Sequence, residues 1–404
     1  MEWIEGGVTA AGGFKANGMH CGIRKNKAKP DLALIYSEVP CTAAAVYTQN
    51  LVKGAPVAVT KRHLADGRAQ AVIVNSGNAN TCNADGIDKA EAMCRLAAAE
   101  LGLAPQEVLV ASTGVIGQVL PLEPIADAAH ALAGGLDENG SHLAATAIMT
   151  TDTFAKEAAV SLTLGGKTVR VGGIAKGSGM IHPNMATMLG FTTTDCAITS
   201  GLLAEAVHLA VDQTFNMVSI DGDTSTNDTY AVLANGTAGN PLICEKNEDF
   251  FLFLSGLEAV CRRLARMMAK DGEGATKLLV ARVTGAGNEQ TAKTAAKAVI
   301  CSNLLKAAMF GEDANWGRVL CAVGYSGAAV EVGKIEVSFA SARGDVTVCR
   351  NGAGVDFSEE TAAAVLSADE ITIAVDLHSG NAVAEAYGCD LTYDYVKING
   401  DYRT

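Results

Sequence analysis

KGSGMIHPNMATMLGF, residues 176–191, sets a turn of small residues directly against Met185-Ala186-Thr187-Met188-Leu189, which reads as the start of a buried strand. A threonine in mid-chain ordinarily fills a strand position. Here Gly177, Gly179 and Pro183 let the backbone adopt a strained turn just ahead of Ala186-Thr187. A strained peptide bond before a β-hydroxyl is what an N→O acyl shift requires. Cleavage there would leave Thr187 with a free amine to act as its own base. The reference pKa of such an amine, roughly 7.7–8.0, leaves a useful fraction unprotonated near neutrality. Whether Thr187 packs or reacts is therefore the question that the rest of the chain has to answer.

Working outward, 404 residues are too many for one small core and predict two or three domains. Apolar residues make up 49% and charged ones 19%, so the chain can bury a large core. Glycine is frequent, at 43, and aromatics are scarce, at 5%, which implies many tight turns and an aliphatic core. The net charge of −13 and the lack of a basic run argue against nucleic acid. The eleven cysteines form no CxxC pair and sit in apolar contexts, as buried free thiols in a reducing compartment do. MEWIEGGVTAAGGF has neither the basic nor the apolar region of a signal peptide. No apolar run approaches the roughly 20 residues that span a bilayer. These features read as a cytoplasmic protein without a membrane segment.

Residues 31–80 read as four strands, DLALIYSEV, TAAAVYTQ, APVAVT and QAVIVNSG. Helices are expected over 88–101, 121–136, 201–215, 247–270 and 289–309, from apolar spacing and strong helix formers. VLVAST (108–113) is a strand, SLTLGGKTVRVGGIAKG (161–177) a hairpin on a Gly-Gly turn, and KLLVARVTGA (277–286) a further strand. From 334 onward short strands dominate: KIEVSFAS, DVTVCR, ITIAVDL and the terminal AEAYGCDLTYDYVKI. Strands and helices come in runs, which favours α+β layers over a Rossmann sheet.

Familiar chemical motifs are missing: no HExxH, no GxSxG, no phosphate loop and no histidine cluster that could hold a metal. ASTGVIG (111–117) follows a strand, so Thr113-Gly114 either ends it in an ordinary turn or presents a hydroxyl and an N–H as an oxyanion hole. NSGNAN (75–80) and SIDGDTSTNDT (219–229) read as polar loops bonded to their own backbone. The second lacks the spacing of a calcium loop.

KGSGMIHPNMATML resembles the self-cleavage segment of the ornithine acetyltransferases, also called glutamate N-acetyltransferases, of the cyclic arginine pathway. STG (112–114), TTDT (150–153), DGEGATK (271–277), GEDANWGR (311–318) and NGDYRT (399–404) extend the resemblance over essentially the whole chain. It implies an α+β fold, a layered αββα-type sandwich over residues 1–276 with a smaller C-terminal α/β domain over 277–404. It implies cleavage between Ala186 and Thr187 into pieces 1–186 and 187–404, with two copies of each assembling. Thr187 would be the nucleophile and Thr113 with Gly114 the oxyanion hole. Thr150, Lys176, Thr187, Glu273, Asn399 and Thr404 would bind substrate. The implied reaction moves acetyl from N2-acetylornithine to glutamate with no cofactor and no metal. Acetyl-CoA as a second donor stays open, with a lean against it because no basic cluster stands out in the sequence. A self-processing aminopeptidase and an unprocessed binding protein are the rival classes.

Overall fold

The computed structural model describes residues 1–182 and 188–401. Its largest sheet has nine strands, in the order Glu2–Ile4, Lys156–Leu164, Lys167–Lys176, Leu189–Thr194, Thr229–Ala234, Leu32–Tyr47, Arg68–Asn75 and Val108–Ser112, with Phe14–Met19 also paired to Leu32–Tyr47. Leu32–Tyr47 is the corner. Residues 32–37 pair with Phe14–Met19, residues 42–47 pair with Thr229–Ala234, and the register against Arg68–Asn75 slips between Tyr36 and Cys41. Glu38, Val39 and Pro40 are exposed at that irregularity, where a proline is tolerated because no ladder bond needs its missing N–H.

The corner splits the sheet into two facing layers. Ile35, Val72, Val74, Leu109 and Ala111 from one layer share an apolar cluster with Ile174, Leu189, Phe191, Ala231 and Leu233 from the other. Outside the first layer lie the helices Ala55–His63, Gly86–Leu101 and Glu123–Gly134. Outside the second lie Ser200–Gln213 and Glu248–Lys270. The fold is thus α+β, layered in the order helices, sheet, sheet, helices.

Helix Glu248–Lys270 buries Phe250, Phe253, Leu257, Val260, Leu264 and Met268, a stripe at helical spacing. Asn247 caps it, its side-chain oxygen accepting from the Phe250 N–H at 3.1 Å. The other side of this helix meets a seven-stranded sheet ordered Ala353–Gly354, Gly344–Arg350, Glu336–Ser341, Glu370–Asp376, Leu278–Ala286, Ala382–Cys389 and Val218–Ser219. Among the described residues no helix is long and apolar enough to cross a membrane.

Several local expectations change. APVAVT is not a strand but the helix Ala55–His63, with Pro56 in its first turn, where no backbone N–H is needed. The predicted helix over 289–309 is two, Glu289–Cys301 and Asn303–Phe310, because Ser302 is extended and caps the second through a 3.3 Å bond from Leu305 N. The terminal strand stops at Cys389, and Tyr393–Asp401 is a helix with no buried residue. The Gly-Gly hairpin holds, with Gly165 and Gly166 at φ 52° and 76° as a tight turn of that hand requires.

Candidate active site

Strand ends from both layers converge where the two layers meet. Leu189, the first residue of its strand, pairs with Lys176 on one side and Thr229 on the other. From the facing layer, Ser112 ends its strand beside Asn75, and the chain turns at Thr113-Gly114. Between them lies a cavity of about 140 Å³ lined by Thr113, Gly114, Thr150, Lys176, Glu273 and Asn399. Six of the residues expected at the site are therefore neighbours. Ala186, Thr187 and Thr404 lie outside the described residues, but Met188 and Leu189, next in the chain after Thr187, also line this cavity.

Backbone bonding fixes the oxyanion candidates. Thr113 N donates to Asn75 O at 2.9 Å. Gly114 takes φ 125°, and a Cβ there would come within 2.8 Å of Asn78 N, so glycine is needed twice over. The loop 75–80 is the self-bonded turn expected of it: Asn75 Oδ1 accepts from Gly77 N at 3.1 Å and Asn78 N at 3.0 Å, while its amide donates to Ser112 Oγ at 2.7 Å.

Lys176 is buried and its Nζ donates to Thr113 Oγ1 at 3.3 Å. Burial lowers its pKa, and the nearby Asp152 and Asp228 oppose that shift. Behind it runs a buried ionic chain. Lys156 Nζ donates to Asp152 Oδ1 at 2.7 Å and to Asp271 Oδ2 at 2.5 Å. Asp152 in turn accepts from Gly177 N at 2.7 Å and Thr150 N at 3.0 Å. Burial alone would push the Asp152 pKa up, but Lys156 and Lys176 outweigh it and hold it at about 2. The TTDT motif thus anchors the turn at Gly177 to the end of helix Glu248–Lys270.

Glu273 is placed by its N–H, which donates to Ser178 O at 2.8 Å, and its Oε2 accepts from Asn399 Nδ2 at 2.8 Å. Gly179 leaves room for it: a Cβ there would sit 2.4 Å from the Glu273 carboxyl. The described part of the turn, before residue 183, is tightly held. Gly177 has φ 150° and Met180, without a glycine's freedom, has φ 54°. Met180 N and Ile181 N both donate to Asp221, at 2.6 and 2.9 Å. His182 Nδ1 is 3.0 Å from Ser219 Oγ, and burial takes its pKa down to about 4.

Ser225, Thr226, Asn227 and Asp228 also line the cavity, from a loop that reads in sequence as no more than polar. Asn227 ties that loop to the opposite layer, its Nδ2 donating to Ala79 O at 2.5 Å and Ser112 O at 2.9 Å.

The fold is α+β, and this cavity lies at the junction of its two stacked layers. A family profile described as the ArgJ family matches residues 15–404. The chain is 54% identical over 406 residues, the whole of both proteins, to the arginine biosynthesis bifunctional protein ArgJ of Symbiobacterium thermophilum. It is 50% identical over 405 residues, again the whole of both, to the protein of that name from Caldanaerobacter subterraneus. The chain belongs to the ArgJ family. Among solved structures it is similar to an arginine biosynthesis bifunctional protein from Bacillus halodurans, at 44% identity over 52% of this chain and 97% of that one, TM-score 0.49. It is similar also to the ornithine acetyltransferase of Mycobacterium tuberculosis complexed with ornithine, at 38% identity over 45% of this chain and 96% of that one, TM-score 0.40.

Proposed function

We propose that the chain cuts itself between Ala186 and Thr187, and that Thr187 then carries acetyl from N2-acetylornithine to glutamate. One observation carries this reading: Thr113, Gly114, Thr150, Lys176, Glu273 and Asn399 share a single small cavity with the residues that follow Thr187.

In this scheme the Thr187 hydroxyl attacks the acetyl carbonyl carbon, and the Thr187 amine takes the hydroxyl proton. The developing oxyanion receives the Thr113 O–H and the Gly114 N–H. Because Thr113 Oγ1 already accepts from Lys176, its own proton is directed elsewhere, into the pocket. The C–N bond then breaks and the proton passes to the ornithine amine that leaves. Lys176 pairs with the substrate α-carboxylate as a point charge, and Glu273 answers the distal ammonium that distinguishes ornithine from uncharged amino acids. Glutamate's amine attacks the acetyl ester in the second half of the ping-pong cycle. The division at residue 277, assembly of two copies of each piece, binding of the C-terminal Thr404 at the site and a cytoplasmic location belong to the same reading.

A second donor is also supported. Arg262, Arg266 and Lys270, four residues apart, bring three cations to one side of their helix, and with Arg263, Trp3, Glu258 and Glu370 they line a groove of about 550 Å³, Arg266 being paired with Glu370 and Lys270 with Asp369. These cations are the run RRLARMMAK (262–270) at the end of the helix, and the matched relatives are named bifunctional. Both weigh against a single donor, so acetyl-CoA enters the reading as well. Paired assays with glutamate as acceptor, one with N2-acetylornithine and one with acetyl-CoA, test it. Turnover with the first is expected, and its absence would overturn the assignment.

A further inference from the structure

Asp228 lines the cavity beside Lys176, yet the scheme above gives it no task. It is 2% exposed and immediately precedes strand Thr229–Ala234. Both flanks are pinned: its carbonyl accepts from Thr48 N at 3.0 Å, and the next N–H, of Thr229, donates to Met188 O at 2.9 Å. Among the described residues its Oδ2 has no hydrogen-bond partner. Nearly every buried polar atom of a folded protein has one, so this oxygen, itself buried, is an exception that calls for a partner.

The neighbouring acids are in different situations. Asp152 is saturated with donors, from Lys156, Gly177 and Thr150. Asp228 is approached by Ser225, Thr48 and the Met188 backbone, but its Oδ2 has no partner among the described residues. Burial pushes its carboxyl well above the usual range, against the pull of Ser225, Lys176, Thr48 and the Met188 backbone. Around the pair, Asp152 and Lys156 lie behind Lys176, Arg24 adds its positive charge to Lys176, and Glu273 lines the same cavity. A neutral Asp228 leaves the Lys176 ammonium uncompensated on the cavity side. An ionised one would repel an incoming carboxylate.

We propose that Asp228 is a carboxylic acid whose O–H, on Oδ2, donates beside the Lys176 ammonium to the α-carboxylate of the amino-acid substrate. This makes Asp228 a specificity-determining residue, and it rests on the acetyl-transfer reading. An acid hydroxyl and an ammonium together recognise a carboxylate and disfavour a carboxamide or ester, which accept a hydrogen bond less strongly and carry no charge for the lysine.

Calorimetric binding of L-ornithine and L-ornithinamide to the purified protein tests it, with infrared spectra of the same samples. The unsubstituted protein should show a buried carboxylic-acid carbonyl band that Asp228→Asn removes. Asp228→Ala should weaken ornithine by roughly 10- to 100-fold, the loss of one charged hydrogen bond, and leave ornithinamide nearly unchanged. Asp228→Asn retains an N–H donor and should lose less. Steady-state rates of Asp228→Ala should show the loss in KM, with kcat retained. An ionised Asp228 in the infrared spectrum would overturn the proposal, as would an undiminished preference for ornithine in Asp228→Ala or a loss confined to kcat. Binding needs no turnover, so a variant that fails to cleave itself is still informative. If the unsubstituted protein binds neither compound, the acetyl-transfer reading falls, while the infrared band still decides the charge on Asp228.

Discussion

Lys176 Nζ lies 3.3 Å from Thr113 Oγ1, so the cation expected to bind substrate and the hydroxyl expected to stabilise the oxyanion are themselves in contact. The contact orients Thr113: an ammonium has only donors, so the hydroxyl must accept from it. Thr113→Ala should lower kcat by about 10²–10³, the usual cost of one oxyanion donor, with a small change in KM. Thr113→Ser should recover most of the rate. A rise in KM with kcat unmoved would make Thr113 a binding residue instead.

The buried Lys156 should matter more to stability than to substrate. It bridges Asp152 and Asp271, both nearly inaccessible. Lys156→Met strands two buried carboxylates and should destabilise the protein by about 3–5 kcal/mol, read as a fall in Tm. The pH dependence follows from Asp152. Its folded pKa, about 2, is below the ordinary aspartate value. The stability it contributes is therefore present at neutral pH and fades as pH falls from about 4 toward 2. Acid unfolding of Lys156→Met should lack that contribution, giving a flatter stability profile over this window.

Glu273 and Asn399 offer a test of substrate selectivity. Glu273→Gln keeps the shape and removes the charge, so KM for N2-acetylornithine should rise about tenfold or more, while KM for glutamate changes little. Asn399→Ala removes the amide that donates to Glu273 Oε2 and Tyr395 O, and should cost about 2- to 10-fold. Equal effects of Glu273→Gln on both substrates would remove Glu273 from ammonium recognition.

The sequence shows the layers better than it shows the pocket. Alternating and continuous apolar runs locate most strands because their residues fill the core between the two layers, as Val72, Val74, Leu109 and Phe191 do. APVAVT misleads because its valines suit a strand, whereas Val57 and Val59 are buried in a helix. DLTYDYVKI misleads because none of its apolar residues is fully buried, and Tyr393 and Val396 are exposed. Asp228 escapes notice for another reason. Its loop looks like any polar turn until strand Thr229–Ala234 sets it next to Lys176, and nothing local to residues 219–229 encodes that meeting.

The cleavage itself is the last expectation to test. The chain is held on both sides of residues 183–187. Upstream, Met180 N and Ile181 N are bonded to Asp221, and Ile181 O accepts from Ile220 N at 2.7 Å. Downstream, Leu189 is locked between Lys176 and Thr229. The N→O shift expected at Thr187 would thus take place between two anchored flanks. Purified protein should therefore give two bands on a denaturing gel, with the second piece beginning at Thr187. Because the two pieces contribute adjacent strands, Lys167–Lys176 and Leu189–Thr194, they should stay together on size-exclusion chromatography. Thr187→Ala lacks the hydroxyl and should remain a single band near 41.5 kDa. Thr187→Ser retains it and should still cut. A second piece that begins at any residue other than Thr187, or a Thr187→Ala protein that still cuts at this bond, would remove Thr187 from both cleavage and acetyl transfer.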